Sequence, residues 1–388
     1  MSPNAIRATA SPVMLPYVSR LTCVLSDRLG WHRARLKLMA RLTRALLMLT
    51  TTNLADLALV MKPQVKTRST YRRLQRFFAG FAFDYVQFGQ FLLRLVPASP
   101  PYVVVCDRTE WHFGSASVNV LMIGIAHEGI AFPISWTVLS HGGGSGAEEH
   151  IDLIDRFLEV AGPDQIHVLV ADREFTGGDL LRALKERSVP FAIRIKADRH
   201  VGPASKDYSL PARMLVRPLS EGEARRLNES FGEACVLGEA ESVPVEVVGK
   251  RLSDGSMLIL AAYRLEGEAG MESIFETYRK RWEIETLFAA LKSRGFDLEA
   301  THLTRPERIR KLLGVLAFAY TWARLIGLDR KRQEGPPRRC SNGHPAKSLF
   351  RYGLDRLREL VNNSWRMQGE LARCLQALTQ PSSFLSCS

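Results

Sequence analysis

Tyr278, Arg281, Glu285 and Lys292 stand in the stretch YRKRWEIETLFAALK at successive spacings of three, four and seven residues. At about 100° per residue in a helix, the four side chains fall within an arc of roughly 60° and share one face. An aromatic ring, two cations and a carboxylate make a poor core-facing stripe and a good match for a phosphodiester and a metal ion. A solvated amphipathic face is the plainer alternative. Two aspartates add to the chemistry: Asp107 directly follows YVVVC and Asp172 directly follows HVLVA. If those runs are neighbouring strands, both carboxylates converge at their ends, and Glu285 approaches from a helix across the sheet edge. Three hard oxygen donors of this kind suit Mg²⁺ or Mn²⁺. Two such ions about 3.5–4 Å apart activate water or a 3′-hydroxyl on one side of a phosphodiester and stabilise the leaving oxygen on the other. Neither a histidine nucleophile nor a phosphate loop is then required.

These residues need a sheet and a helix to hold them, and the sequence supplies both. Residues 102–106, 118–126 and 132–139 are three runs of strand length, rich in β-branched and aromatic residues and separated by short turns, which predicts an antiparallel meander. A glycine-containing loop from His141 to Gly146 follows, then a helix over 147–160, a strand over 167–171, a helix over 179–187 and a strand over 191–195. Three antiparallel strands followed by helix, strand, helix and strand describe a mixed α/β sheet flanked by helices, in the order of a ribonuclease-H-like fold. The catalytic unit is therefore expected over 96–198 and 263–327, with a β-rich insertion at 199–262 ending in two strand-like runs joined by Ser253-Asp254-Gly255. A long helix is expected from Pro306 to Gly327, a Pro-, Arg- and Gly-rich linker near 331–345, and helix again from Leu349 to Leu378.

Residues 1–95 read as a helical region. A helical rhythm over 35–49 and 54–60 is broken by Lys62-Pro63, and a second stretch, expected to start near Ser69, carries Arg72, Arg73 and Arg76 beside Leu74, Phe77 and Phe78. Two short helices around a turn, the second rich in arginine, resemble a small DNA-binding module in outline. A core-packed helix with a basic outer face fits the same pattern.

Charge separates along the chain in the same sense. Residues 1–95 hold 15 basic and 3 acidic side chains and residues 328–388 hold 11 and 5, whereas residues 96–327 hold 27 and 32. Basic ends around an acidic centre fit a protein that grips a polyanion while its middle supplies carboxylates for cations. The six cysteines at 23, 106, 235, 340, 374 and 387 form no Cys-x-x-Cys pair and have no histidine partners at zinc spacing, so they read as free thiols in a reducing compartment. No continuous apolar signal core opens the chain, and the most apolar run, Leu312 to Leu328, is interrupted by Thr321 and Arg324. A cytoplasmic location without membrane insertion is expected.

Several weaker signals have simple readings. The loop from His141 to Gly146 lacks the Gly-Lys-Ser/Thr of a phosphate loop and reads as a hinge or connection before a helix. His112, His127, His150 and His167 show no metal spacing. Glu174 shares the face of Asp172 if strand geometry continues, and Glu110 points away from Asp107; solvent-facing roles are expected of both. Arg173 either pairs with a carboxylate or contacts DNA. Phe350, Leu354, Leu357 and Val361 form an apolar helical stripe that serves either the core or a subunit contact.

The sequence resembles the DDE transposases of bacterial insertion sequences, specifically the Insertion Sequence 4 family. CDRTEW around Asp107, ADREF around Asp172 and a Y-(2)-R-(3)-E-(6)-K signature met by Tyr278, Arg281, Glu285 and Lys292 carry the resemblance, which spans about residues 70 to 325. It implies that Asp107, Asp172 and Glu285 bind two Mg²⁺ or Mn²⁺ ions. It also implies that Tyr278, Arg281 and Lys292 hold the transposon-end strand. The implied activity is cleavage at terminal inverted repeats and transfer of the 3′ ends to target DNA within a homodimeric synaptic complex, in a bacterial, nucleoid-associated setting. Some relatives place a stacking tryptophan in the insertion, whereas residues 199–262 contain none. Trp282 becomes the stacking candidate, with packing between helix and sheet as the alternative. A nuclease or resolvase that does not join strands, and a domesticated DNA-binding protein without catalysis, are the competing expectations.

Overall fold

The computed structural model describes residues 15–61, 65–113, 116–206, 208–237, 243–265, 271–292, 295–341, 345–364 and 366–386; the break expected at Lys62-Pro63 lies outside them. Five helices precede the sheet: α1 (Leu15–Ser26), α2 (Arg33–Leu49), α3 (Leu54–Met61), α4 (Thr67–Gly80) and α5 (Tyr85–Leu93). Helix α4 begins two residues before the expected Ser69. It buries Thr70, Leu74, Phe77 and Phe78 and leaves Arg72, Arg73 and Arg76 exposed. The Asp84 carboxylate caps α5 by accepting from the Gln87 N–H at 2.9 Å.

The central sheet starts with β1 (Tyr102–Phe113), β2 (Ala116–His127) and β3 (Ile130–Leu139), paired antiparallel in sequence. Helix α6 (Ala147–Ala161) leads to β4 (Ile166–Ala171), and α7 (Gly178–Glu186) leads to β5 (Phe191–Arg194); β4 runs parallel to both β1 and β5. The resulting order, β3-β2-β1-β4-β5, is a mixed sheet of the ribonuclease-H-like kind. Its centre is made of β-branched and aliphatic side chains, which favour a pleated surface buried on both faces. Val104, Val105, Val168 and Val170 are fully buried.

The segment expected as an insertion comprises β6 (His200–Pro203), β7 (Leu210–Pro211), α8 (Arg213–Val216), β8 (Ala224–Arg226), β9 (Cys235–Leu237), β10 (Pro244–Arg251) and β11 (Met257–Tyr263). Strand β11 pairs antiparallel with β5, Leu260 opposite Arg194, so these strands continue the central sheet beyond β5.

Helices then return across the sheet: α9 (Met271–Arg279), a 3-10 turn Lys280–Trp282, α10 (Glu283–Leu291) and α11 (Pro306–Glu334). Helix α11 continues seven residues past the expected end at Gly327, because its polar end, Asp329 to Glu334, supports further turns through an Arg330–Glu334 ion pair of 2.7 Å. It is long and apolar enough to cross a membrane, yet its most apolar window lies wholly inside the fold. The last helices are α12 (Leu349–Asn362), α13 (Gln368–Gln376) and α14 (Pro381–Ser386), in the stretch expected to return to helix over 349–378 and just beyond it. The stripe of Phe350, Leu354, Leu357 and Val361 is buried and α12 packs on α11, which settles this stripe as core rather than subunit contact. Two glycines permit the crossing. A Cβ on Gly353 would collide with the Ala323 carbonyl of α11, and one on Gly327 with the Leu349 carbonyl of α12.

Candidate active site

Strand β1 does not stop where YVVVC stops. It runs on to Phe113 because RTEWHF stays paired with β2, while its parallel partner β4 ends with Ala171 opposite Cys106. Asp107 therefore sits within β1 rather than at its tip, at the point where one neighbour has peeled away. One more step in register sets Asp172 beside it. Alternation along β1 places Asp107 on the same face as Trp111, and Trp111 meets Phe288 of α10 edge to face at 6.2 Å between ring centroids. That face is the one over which Glu285 arrives.

The expected single helix over 278–292 is interrupted. Tyr278 belongs to α9, Arg281 and Trp282 to the 3-10 turn, Glu285 to α10, and Lys292 lies just beyond α10 with an extended backbone. The turn begins within three consecutive cations, Arg279 at the end of α9 and then Lys280 and Arg281 in the turn itself, of which Arg281 alone is buried. Tightening to three residues per turn redirects the side chains along the stripe. Arg281 turns inward and donates through Nη1 to Asp107 Oδ2 at 2.9 Å and through Nη2 to Glu285 Oε1 at 3.1 Å.

A single guanidinium thus joins β1 to α10 by charge-assisted bonds. Burial works against the Arg281 guanidinium, yet its neighbours Asp107, Tyr278 and Asp172 together hold its pKa above the usual value. Burial pushes the Asp107 carboxyl up to about 6, against the Arg108 N–H and Arg281, and the nearby negative charges of Glu174 and Asp172 push the same way as burial. Asp172 Oδ1 is buried without a hydrogen-bond partner.

Among the described residues, no three His, Cys, Asp or Glu side chains are gathered tightly enough to hold a metal ion. The reason is visible in the geometry: Arg281 holds the position between Asp107 and Glu285. The donor set nonetheless fits a hard divalent cation in kind. Two carboxylates already share one positive charge, a third offers a buried oxygen with no other partner, and burial makes an unneutralised Asp107 costly.

The remaining signature residues separate by exposure. Tyr278 is buried, its hydroxyl has no hydrogen-bond partner, and burial pushes the phenol up to about 12 against the charges of Arg281 and Arg194. Trp282 is 64% exposed with the Arg281 guanidinium 5.4 Å from its ring centroid, so packing between helix and sheet is excluded for it. Lys292 lies over the Trp111 ring at 5.7 Å and points its ammonium toward the Glu110 carbonyl. Arg72, Arg73 and Arg76 sit on α4 and bind nothing in the carboxylate cluster.

The structure also assembles a group that spacing did not reveal. On the opposite face of β1, Arg108 pairs with Glu174, Nε to Oε1 at 3.0 Å and Nη2 to Oε2 at 3.1 Å. Its Nη1 donates to Asn119 Oδ1 at 2.8 Å and to the Gly143 carbonyl at 3.0 Å. Asn119, fully buried on β2, donates to the carbonyls of His141 and Gly143 at 3.0 Å each. The glycine loop is thus tied to the sheet, and the residue after Asp107 is clamped to the residue two beyond Asp172. Glu174 and Glu110 are both exposed, as expected, yet both are engaged: Glu174 holds Arg108, and Glu110 accepts from the Ser117 hydroxyl. His150 is buried and its ring meets the Ser145 hydroxyl at 2.7 Å, an interior histidine with a partner.

Residues 99–322 match the family described as Transposase DDE domain. A cryo-EM structure of a piggyBac transposase synaptic complex with hairpin DNA aligns over 96% of this chain and 83% of that chain, with 11% sequence identity and a TM-score of 0.46. No curated protein matches the chain.

Proposed function

From a chain that belongs to the DDE transposase-domain family, matched over more than half its length, we propose a working transposase of the Insertion Sequence 4 type. It binds the terminal inverted repeats of its element, cuts DNA there and transfers the 3′ ends to target DNA as a homodimer. The observation that carries this reading is the pairing of one buried arginine, Arg281, with Asp107 of β1 and Glu285 of α10, with the negative charge of Asp172, just past the end of β4, close enough to act on both Asp107 and Arg281.

Asp107, Asp172 and Glu285 would hold two divalent ions, Mg²⁺ or Mn²⁺, which when bound supply an activated hydroxyl and stabilisation of the leaving oxygen. The protein's own groups do the rest. Arg281 keeps the acidic residues compensated until substrate arrives, then exchanges Asp107 for a DNA phosphate, for which its planar fork is equally suited. Tyr278 lies beneath that exchange and contacts the strand as Arg281 moves. Lys292, braced on Trp111, adds a point charge at the edge of the site. Exposed Trp282 offers a flat face to an unstacked base, which needs no particular sequence. Arg72, Arg73 and Arg76 on α4 contact phosphates of the end DNA.

A Mg²⁺-dependent nicking and joining assay on DNA carrying the element's own ends tests this reading. Nicked and joined products are expected. Nicking that never proceeds to joining, even from a precut end, would make the protein a nuclease instead.

A further inference from the structure

Past Asp172 the chain opens into a cavity of about 860 Å³ between the segment after β4, the end of β5 and the start of the 199–262 segment. Arg173, Arg194, Lys196, Arg199 and Arg213 line it. Only two acids, Glu174 and Asp198, share the wall, and Glu174 is already committed to Arg108. None of the five cations makes an ion pair with a described residue, and the Arg199 Nε is buried without a hydrogen-bond partner. The scaffold under them is fixed by backbone bonds: Arg199 N–H to Lys196 O at 3.0 Å, Ala212 N–H to Arg199 O at 2.9 Å, and Arg213 N–H to Ala197 O at 2.8 Å.

Like charges held together in a concave, prearranged wall repel unless an anion joins them. This cluster stands out because residues 96–327 carry more acidic than basic side chains overall. The cations come from three separate stretches of chain, a spread wider than one phosphate, and the first of them adjoins Asp172 in sequence. No aromatic side chain lines the cavity, so nothing there stacks a base. Arginine forks and a lysine without a stacking platform match a run of phosphates read without regard to sequence.

We propose that this cavity is a phosphodiester groove that grips the DNA strand running off the catalytic carboxylates, independently of its base sequence. The inference rests on the transposase reading, which supplies the DNA at Asp172, and adds to it where that DNA goes next.

The test uses the full chain, the double variant Lys196→Ala/Arg213→Ala, and DNA with the element's end or a scrambled sequence, with affinity measured against NaCl concentration. Both replaced residues are exposed, and thermal melting verifies that the variant folds. With two phosphate-binding cations removed, the slope of log K against log salt should shrink by about 1.4–1.8, equally on both DNAs. The exchange Lys196→Arg/Arg213→Lys, which keeps both charges, should restore it. A folded double variant with the parental slope would overturn the groove and leave the transposase reading intact. Loss of inorganic phosphate binding with an unchanged DNA slope would overturn it equally, marking a free-anion site. A parent chain that binds no DNA at all would instead remove the transposase reading itself, and the groove with it.

Discussion

Arg281 Nη1 lies 2.9 Å from Asp107 Oδ2, and the same guanidinium lies 3.1 Å from Glu285 Oε1, so one buried arginine spans two of the three acidic residues on which the chemistry depends. The carboxylates are compensated before any metal or DNA is present. Arg281 is therefore both a structural tie and a group that substrate must redirect.

Removing that tie leaves Asp107 as a largely buried charge without its partner. Arg281→Ala should lower stability by about 3 kcal/mol and abolish cleavage. Arg281→Lys should recover much of the stability, since it keeps the charge, but little of the cleavage, since an ammonium lacks the planar, rigidly spaced donors that match a carboxylate or phosphate in two parallel bonds. Denaturant unfolding and nicking assays on both variants measure this. Equal cleavage by the lysine variant would contradict the bidentate role.

Acid should inhibit cleavage. Burial pushes the Asp107 carboxyl up to about 6, so below that pH it holds a proton and is a poor donor for a cation. The nicking rate should fall about tenfold per pH unit below that point. The sign for stability is opposite. Between its ordinary value of about 3.9 and its native value, the folded chain keeps a proton that the unfolded chain has lost, so this group makes the fold less stable as pH rises through that window. A rate profile flat down to pH 5 would show that Asp107 ionisation does not limit the reaction.

The Arg108–Glu174 clamp links the segments that carry Asp107 and Asp172. Glu174→Gln keeps the shape and removes the charge, and it should reduce cleavage by about 10- to 100-fold, as changes to residues supporting a metal site commonly do. DNA affinity should hold, and the Mg²⁺ concentration for half-maximal rate should rise. An unchanged Mg²⁺ requirement would make the pair a brace for the loop at 141–146 alone.

The crossing of α11 and α12 predicts stability. Leu357→Ala should cost about 2–5 kcal/mol, because Leu357 is fully buried. Gly353→Val should cost at least as much, since any Cβ there meets the Ala323 carbonyl. Equilibrium unfolding gives both values, and a melting temperature unchanged in Gly353→Val would refute the close approach.

The parts of the fold legible in the sequence are those with local signals. The valine-rich runs before Asp107 and Asp172 announce β1 and β4, and the order of strands and helices gives the sheet. What escaped depends on partners distant in sequence. Asp107 and Glu110 are weak strand formers, so β1 reads as ending at Cys106, yet pairing with β2 carries it to Phe113. The inward turn of Arg281 needs Asp107 as its target, and Arg108 finds Glu174 only once β1 and β4 lie side by side. Strand β11 joins β5 for the same reason: strand pairing is set by neighbours, not by composition.

The most direct test of the central claim replaces one ligand and watches two functions. Asp172→Ala should retain end-DNA binding within about threefold and give no nicked or joined product in Mg²⁺, while the parent chain gives both. Cleavage at the parental rate by Asp172→Ala would show that the three carboxylates around Arg281 are not the catalytic centre.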